Sequence, residues 1–188
     1  MLNKLIILSG PSGTGKSTLA RHLLNIIPEL EFSISACSRS KRNNEIDGKH
    51  YYFITVEQFR EKINNNEFIE WEEVYDGQYY GTLKTEIERI GSQDHHVIFD
   101  VDINGALRIK ELYAERALAI IIIPPSMEEL KVRLLNRSTE DRASMTKRLE
   151  KSRNELDYAK QFDKIIVNDN LEKSKTEIEK FVRDFLNS

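Results

Sequence analysis

A glycine-rich segment near the start of the chain has the residue types and spacing of a phosphate-binding loop. In SGPSGTGKST, Ser9–Thr18, the stretch from Gly10 to Ser17 fits the pattern G-x-x-x-x-G-K-[ST]. Glycines let successive N–H groups turn inward, the following helix adds its positive end, and Lys16 supplies a compact charge for phosphates. A turn that fits by chance is the alternative, but the flanking strand and helix patterns favour triphosphate binding. The residues assigned to it are Gly10, Pro11, Ser12, Gly13, Thr14, Gly15, Lys16, Ser17 and Thr18.

Ser17 and Asp100 are the candidate ligands for Mg²⁺. Ser17 follows the loop lysine, and Asp100 ends the apolar run in VIFDVD. A hydroxyl in the loop and a carboxylate at the end of a neighbouring strand form the usual protein share of such a site. Asp102 lies two residues after Asp100, so its side chain is expected on the same side of the strand. Either carboxylate could instead cap the helix predicted from INGALRIKEL, an alternative that suits Asp102 better than Asp100.

A second group of polar residues lies in an aromatic-rich stretch from about Arg39 to Lys84. Arg39 and Arg42 stand three apart in SRSKR, and guanidinium groups suit bidentate contact with a phosphate monoester. Tyr51 and Tyr80 could add hydroxyl donors to the phosphate oxygens. The alternatives are a solvated basic loop for the arginines and packing in a small core for the tyrosines.

Glu70 is a candidate for base recognition because it stands among apolar neighbours in FIEWEE. A carboxylate can accept both N1–H and N2–H₂ of guanine while hydroxyl groups donate to O6, which selects guanine over adenine. The alternative is a side chain that faces solvent by strand alternation. The set that would recognise guanine, if its members converge, is Ser35, Glu70, Thr82 and Asp102.

Five apolar runs that alternate with helical patterns predict an α/β domain around a parallel sheet. The predicted strands are Lys4–Ser9, Phe32–Ala36, His96–Val101, Leu118–Ile123 and Lys164–Asn168. The aromatic stretch breaks this rhythm and predicts an antiparallel or mixed β insert beside the phosphate loop. A highly charged segment with few apolar positions, 136–151, predicts a mobile helical cover.

Composition limits the classes of function. Of the 188 residues, 39% are hydrophobic and 31% are charged, which is typical of a soluble globular protein. A net charge of −3 argues against general nucleic-acid binding. Cys37 is the single cysteine, so no internal disulfide can form and a cytoplasmic location fits. No apolar stretch approaches the roughly 20 residues that a membrane span needs.

The order and spacing of SGPSGTGKST, SISACSRSKR, NNEFIEWEEV, YYGT, DVDINGA and KIIVND resemble those of guanylate kinases. The resemblance runs from Leu5 to about Phe185. It implies a P-loop NTPase core with a five-stranded parallel sheet over residues 1–34 and 88–188, a GMP-binding insert over 35–87, and a lid over about 136–151. The family usually has proline where this chain has Lys41.

The resemblance also implies a reaction, in which ATP phosphorylates GMP or dGMP with Mg²⁺ as the cofactor. It assigns the GMP phosphate to Arg39, Arg42, Tyr51 and Tyr80, the guanine to Ser35, Glu70, Thr82 and Asp102, the transferring group to Lys16, Arg137 and Arg148, and the adenine to Asn168. The other hypotheses are a different nucleoside monophosphate kinase and a non-catalytic interaction module. Whether the protein forms a homo-oligomer is left open.

Overall fold

The computed structural model describes residues 3–135 and 142–188, and it describes their side chains except at 142–148 and 151. The core is a five-stranded sheet in which every pair is parallel, in the order β2-β7-β1-β8-β9. Its strands are β1 (Leu5–Ser9), β2 (Leu30–Phe32), β7 (His96–Asp100), β8 (Ala117–Ile123) and β9 (Lys164–Val167). The prediction of a five-stranded parallel sheet is confirmed.

Helices cover both faces of this sheet, as an all-parallel sheet requires. On one face α1 (Lys16–Ile26) and α7 (Leu171–Leu186) pack through Leu19, Leu23 and Ile178. On the other face α3 (Lys84–Gly91) and α4 (Ile103–Tyr113) pack through residues such as Ile90 and Ile109. The remaining helices are α2 (Val56–Asn64), α5 (Met127–Leu135) and α6 (Arg142–Asp157). None of the helices in the described part of the chain is long and apolar enough to cross a membrane.

The aromatic stretch forms a second sheet with its own small core. Its strands are β3 (Ala36–Cys37), β4 (Tyr52–Phe53), β5 (Phe68–Tyr75) and β6 (Gln78–Leu83), in the order β4-β3-β6-β5. The β3–β4 pair is parallel and the other two pairs are antiparallel, so the sheet is mixed. The ring of Phe59 on α2 stacks on Phe68 and Tyr79, with centroids 4.3 and 5.3 Å apart.

The predicted strand Phe32–Ala36 is wrong, because the chain crosses between the two sheets there. β2 ends at Phe32 in the core sheet, and β3 begins at Ala36 in the second sheet. Between them the N–H of Ser33 still donates to Ile98, whereas that of Ile34 donates to the Glu86 carboxylate. An alternating run of apolar and serine residues predicts an extended chain but does not show which sheet it joins.

The domain boundaries at 34/35 and 87/88 stay predictions, and α3 spans the second of them. The lid stays a prediction as well. Residues 136–141 lie outside the described residues, and in the rest of that segment the structure describes the backbone of α6.

Candidate active site

The phosphate loop lies between β1 and α1 and is held by contacts from its own lysine and from β9. Nζ of Lys16 donates to the carbonyls of Gly10 and Pro11 at 2.7 and 3.2 Å. The buried amide of Asn168 donates to the carbonyl of Thr14 at 2.8 Å. Gly15 has φ 99°, and a Cβ there would collide with the Asn168 amide, so this position requires glycine. These contacts fix the backbone of the loop and hold the lysine charge against the loop carbonyls.

Ser17 and Asp100 are brought together as the sequence predicts. Ser17 lies in the first turn of α1, Asp100 ends β7, and β7 runs beside β1 with Leu8 opposite Asp100. The Ser17 hydroxyl donates to Oδ2 of Asp100 at 2.8 Å. One hydroxyl and one carboxylate at the mouth of the loop suit a hard divalent cation that takes its other ligands from phosphates and water.

A cavity of about 470 Å³ lies between the second sheet and the carboxyl ends of the core strands. It reaches the phosphate loop at Ser12 and the β7 terminus at Asp100. The predicted acceptor-site residues that line it are Ser35, Tyr51, Glu70, Tyr80 and Asp102. Polar groups from both sheets therefore face one space that is continuous with the loop.

Arg39, Arg42 and Thr82 are not part of the described lining of this cavity. Arg39 and Thr82 nevertheless each hydrogen-bond to a residue that is. Arg42 is exposed, and its backbone N–H donates to the carboxylate of Glu45. Arg137 lies outside the described residues, and the side chain of Arg148 does too.

Glu70 has a well-defined position at the wall of the cavity. It lies opposite Thr82 in the β5–β6 ladder, and the fully buried Thr82 hydroxyl donates to its Oε1 at 2.6 Å. Burial raises the pKa of the Glu70 carboxyl from 4.5 to about 7, with a further rise from the charge of Asp102 and an opposing effect from the Thr82 hydrogen bond. Such a carboxyl group changes protonation state near neutral pH.

Asp102 caps α4 and lines the cavity at the same time. Its Oδ1 accepts a hydrogen bond from the N–H of Gly105 at 2.8 Å, so the helix-cap interpretation is correct for this residue. Asp102 also lies in the cavity wall, and its assignment to the acceptor site stays a prediction.

Gly105 is a site residue that sequence reasoning missed. A Cβ at this position would lie 2.8 Å from Oε2 of Glu70 and 3.1 Å from Oδ1 of Asp102. The absence of a side chain therefore lets both carboxylates approach the start of α4. A glycine inside a predicted helix costs stability relative to alanine, and this was the available signal of a close approach.

Arg39 is held by several groups of the second sheet. Its two terminal nitrogens donate to the Glu45 carboxylate at 2.6 and 2.5 Å, and Nε donates to the Tyr80 hydroxyl at 3.0 Å. The guanidinium also lies 5.1 Å from the ring centre of Tyr51. The hydrogen bond with Arg39 lowers the pKa of Glu45 to about 2. Glu45 was not anticipated from the sequence, because a glutamate in a charged loop has no distinguishing pattern.

Comparisons with known proteins show which family this chain is similar to. The family model described as guanylate kinase matches residues 2–185. A guanylate kinase from Bacteroides thetaiotaomicron is 48% identical over 187 residues, which are 100% of this chain and 92% of the relative. One from Porphyromonas gingivalis is 50% identical over 98% of this chain and 99% of its own length. The crystal structure of guanylate kinase from Anaplasma phagocytophilum is 30% identical, with a TM-score of 0.77 over 97% of this chain and 86% of that one.

Proposed function

The chain belongs to the guanylate kinase family, and from that membership we propose which of its residues carry each part of the reaction. It is an enzyme that transfers the γ-phosphoryl group of ATP to GMP, giving ADP and GDP. The observation that supports the assignment most directly is the cavity that connects Ser12 of the phosphate loop with Glu70 of the second sheet. A donor in the loop and an acceptor in this cavity would meet near Asp100.

The guanine base is recognised by the Glu70 carboxylate. In its charged form it accepts from N1–H and N2–H₂, a pair of donors that adenine does not present on the same edge. Thr82 holds the carboxylate through its 2.6 Å hydrogen bond. Ser35 and Asp102, which also line the cavity, complete the proposed set.

The phosphate of GMP is bound by Arg39, Arg42, Tyr51 and Tyr80. The hydrogen bond from Arg39 to Tyr80 and the edge contact between the Tyr51 and Tyr80 rings, 5.9 Å apart, support a single cluster. Burial raises the pKa of the Tyr51 hydroxyl, so the group remains a hydrogen-bond donor at neutral pH. A phosphate monoester would share Arg39 with Glu45 or displace that carboxylate.

ATP is bound by the loop from Gly10 to Thr18, with Asn168 near the adenine. The family requires a divalent metal with ATP, and we assign Mg²⁺ to Ser17 and Asp100, whose oxygens suit a hard cation. Mg²⁺ would neutralise charge on the β- and γ-phosphates. Lys16 would add its charge to the same oxygens, and the family resemblance assigns Arg137 and Arg148 of the charged segment to the transferring group.

Transfer is direct and in line, with no covalent enzyme intermediate. Two anions must be aligned and their charge neutralised, which positioned cations achieve without a nucleophilic side chain. Closure of the second sheet and of the charged segment would exclude water from the γ-phosphate.

The experiment that tests this function is ADP production from ATP in a coupled assay with GMP, dGMP, AMP, UMP and CMP in turn. We expect turnover with GMP and dGMP, because both carry the donors that Glu70 accepts. Preference for another base would indicate a different nucleoside monophosphate kinase. Binding of GMP without turnover would indicate a non-catalytic module.

A further inference from the structure

Glu86 is a buried carboxylate that none of the roles above uses. Among the residues whose burial the structure describes, it is the one charged residue that is buried, with 2% of its surface exposed. Its Oε1 accepts from the N–H of Ile34 at 2.9 Å, and its Oε2 accepts from the Tyr52 hydroxyl at 3.0 Å. Arg89, one turn along α3, donates to both oxygens at 2.8 and 3.1 Å. A buried charge with this many donors is costly to disturb.

Two donors to Glu86 belong to segments that are distant from it in sequence, one in the crossing between the two sheets and one in the second sheet. Ile34 lies in the link from β2 to β3, and Tyr52 begins β4. The two segments also bond to each other, since the N–H of Tyr52 donates to the carbonyl of Ser35 at 2.9 Å. Glu86 itself projects from α3, which packs on β7 of the core sheet. One side chain therefore fastens the link from β2 to β3, and strand β4 of the second sheet, to a helix of the core.

These two segments carry acceptor-site residues at the adjacent positions. Ser35 follows Ile34, Tyr51 precedes Tyr52, and both line the cavity. Glu86 holds the backbone N–H of Ile34 and the side-chain hydroxyl of Tyr52, so it restricts movement of the chain directly beside Ser35 and Tyr51. Even small displacements of Ser35 and Tyr51 would weaken the binding of the nucleotide.

We propose that Glu86 is a positioning residue for the nucleoside monophosphate, acting through Ser35 and Tyr51 without touching the substrate. The proposal rests on the assignment of GMP to this cavity. The competing explanation is that Glu86 stabilises the fold alone, in which case its loss lowers stability and affects both substrates equally.

The test is a set of single variants assayed for the KM of GMP, the KM of ATP, kcat and thermal stability. For Glu86→Gln we expect the KM of GMP to rise about 10-fold, with the KM of ATP and kcat at saturating GMP changed less than about 2-fold. Tyr52→Phe removes one hydrogen bond and keeps the ring, and we expect a rise of about 3-fold in the KM of GMP alone. Tyr52→Phe also tests the proposal by itself if Glu86→Gln does not fold.

The matched control is Glu31→Gln. Glu31 is a second carboxylate on Arg89, with its Oε1 at 2.5 Å from Nη1, and its Oε2 contacts His95 rather than the crossing segments. Its variant should leave the KM of GMP unchanged. An unchanged KM of GMP in folded Glu86→Gln or Tyr52→Phe, or an equal rise for ATP, would overturn the proposal. If the unaltered protein does not turn over GMP, the proposed function fails first and the positioning role falls with it.

Discussion

The Glu70 carboxyl group combines two requirements that oppose each other. Recognition of guanine needs the charged form, which accepts two hydrogen bonds, whereas burial beside Asp102 favours the neutral form and raises the pKa to about 7. Hydrogen bonding from Thr82 offsets part of the cost of the charge. The bound base would supply the donors that the free site lacks. GMP binding should therefore be linked to the loss of a proton from Glu70.

This linkage predicts a pH-dependent KM for GMP. Below its pKa Glu70 is protonated and accepts poorly, so the KM of GMP should fall as pH rises from 6 to 8, while the KM of ATP changes little. The GMP phosphate also titrates, with a second pKa of about 6. Glu70→Gln keeps that contribution and removes the carboxylate. Its KM should be at least about 10-fold higher and should lose most of the change between pH 7 and 8. Parallel profiles for the two proteins would exclude Glu70 as the titrating group.

Glu70 should also lower the stability of the free protein at neutral and alkaline pH. Its folded pKa of about 7 lies above the unfolded value of 4.5, so the folded state prefers the protonated form. The resulting penalty is absent below pH 4.5, grows as pH rises to 7 and is complete above it. Glu70→Gln should therefore raise the free energy of unfolding by up to about 3 kcal/mol at pH 8 and by little at pH 4.5. Urea denaturation at both values measures the difference, and an equal effect at both would contradict the assignment.

A substitution of Gly105 should affect the KM of GMP more than the stability of the fold. Gly105→Ala gains at most roughly 1 kcal/mol of helix propensity, because Gly105 lies in the first turn of α4. The new methyl group would lie 2.8 Å from Oε2 of Glu70 and 3.1 Å from Oδ1 of the capping Asp102, so the Glu70 carboxylate must move away, and the melting temperature should change little because the gain and the cost oppose each other. That movement should raise the KM of GMP about 10-fold without affecting ATP. Ala106→Gly, at the next position of α4, gives a control for a loss of stability, because it lowers helix propensity and removes a buried methyl group without adding a group beside Glu70.

At the scale of elements, apolar runs predicted the core sheet because β1 and β8 are buried on both faces. The same reasoning failed at Ser33–Ser35, where the chain changes sheets without a break in its pattern. The candidate site was predictable where a residue type has a specific chemistry, as for Lys16 and Asp100. Glu86 and Gly105 were not, because their roles depend on contacts with segments that are distant in sequence.

The end of β9 supports the phosphate loop through Asn168. Its amide donates to the Thr14 carbonyl and packs against Gly15. Asn168→Ala should raise the KM of ATP about 5-fold, because it removes both the contact with the loop and the group proposed to lie near the adenine. A similar rise for GTP as the phosphoryl donor would show that Asn168 acts through the loop alone, whereas a loss confined to ATP would support contact with the adenine. Kinetics with both donors at saturating GMP distinguish the two roles, and the KM of GMP serves as the internal control.

At the scale of the whole molecule, the proposed donor and acceptor sites belong to different sheets and meet at one cavity. The phosphate loop is built by β1, α1 and β9, whereas most of the proposed GMP contacts come from β3 to β6 and the loops beside them. The core strands direct their carboxyl ends toward this cavity, as is general for open α/β sheets. Defects on the two sides should therefore be separable in kinetics and in binding.

Lys16→Ala tests this separation from the donor side. The contacts of Lys16 that the structure describes are with Gly10 and Pro11 of its own loop, and not with the second sheet. Removal of its charge should lower kcat by about 100-fold or more, since single electrostatic groups at a reacting centre have effects of this size. The Kd of GMP, measured by calorimetry without ATP, should stay within about 2-fold, because its proposed ligands are untouched. Lys180→Ala, at an exposed position on α7, controls for the loss of a surface charge. Near-normal turnover would show that the loop does not act on the transferring phosphoryl group, and a parallel loss of GMP binding would show that the two sides are not independent.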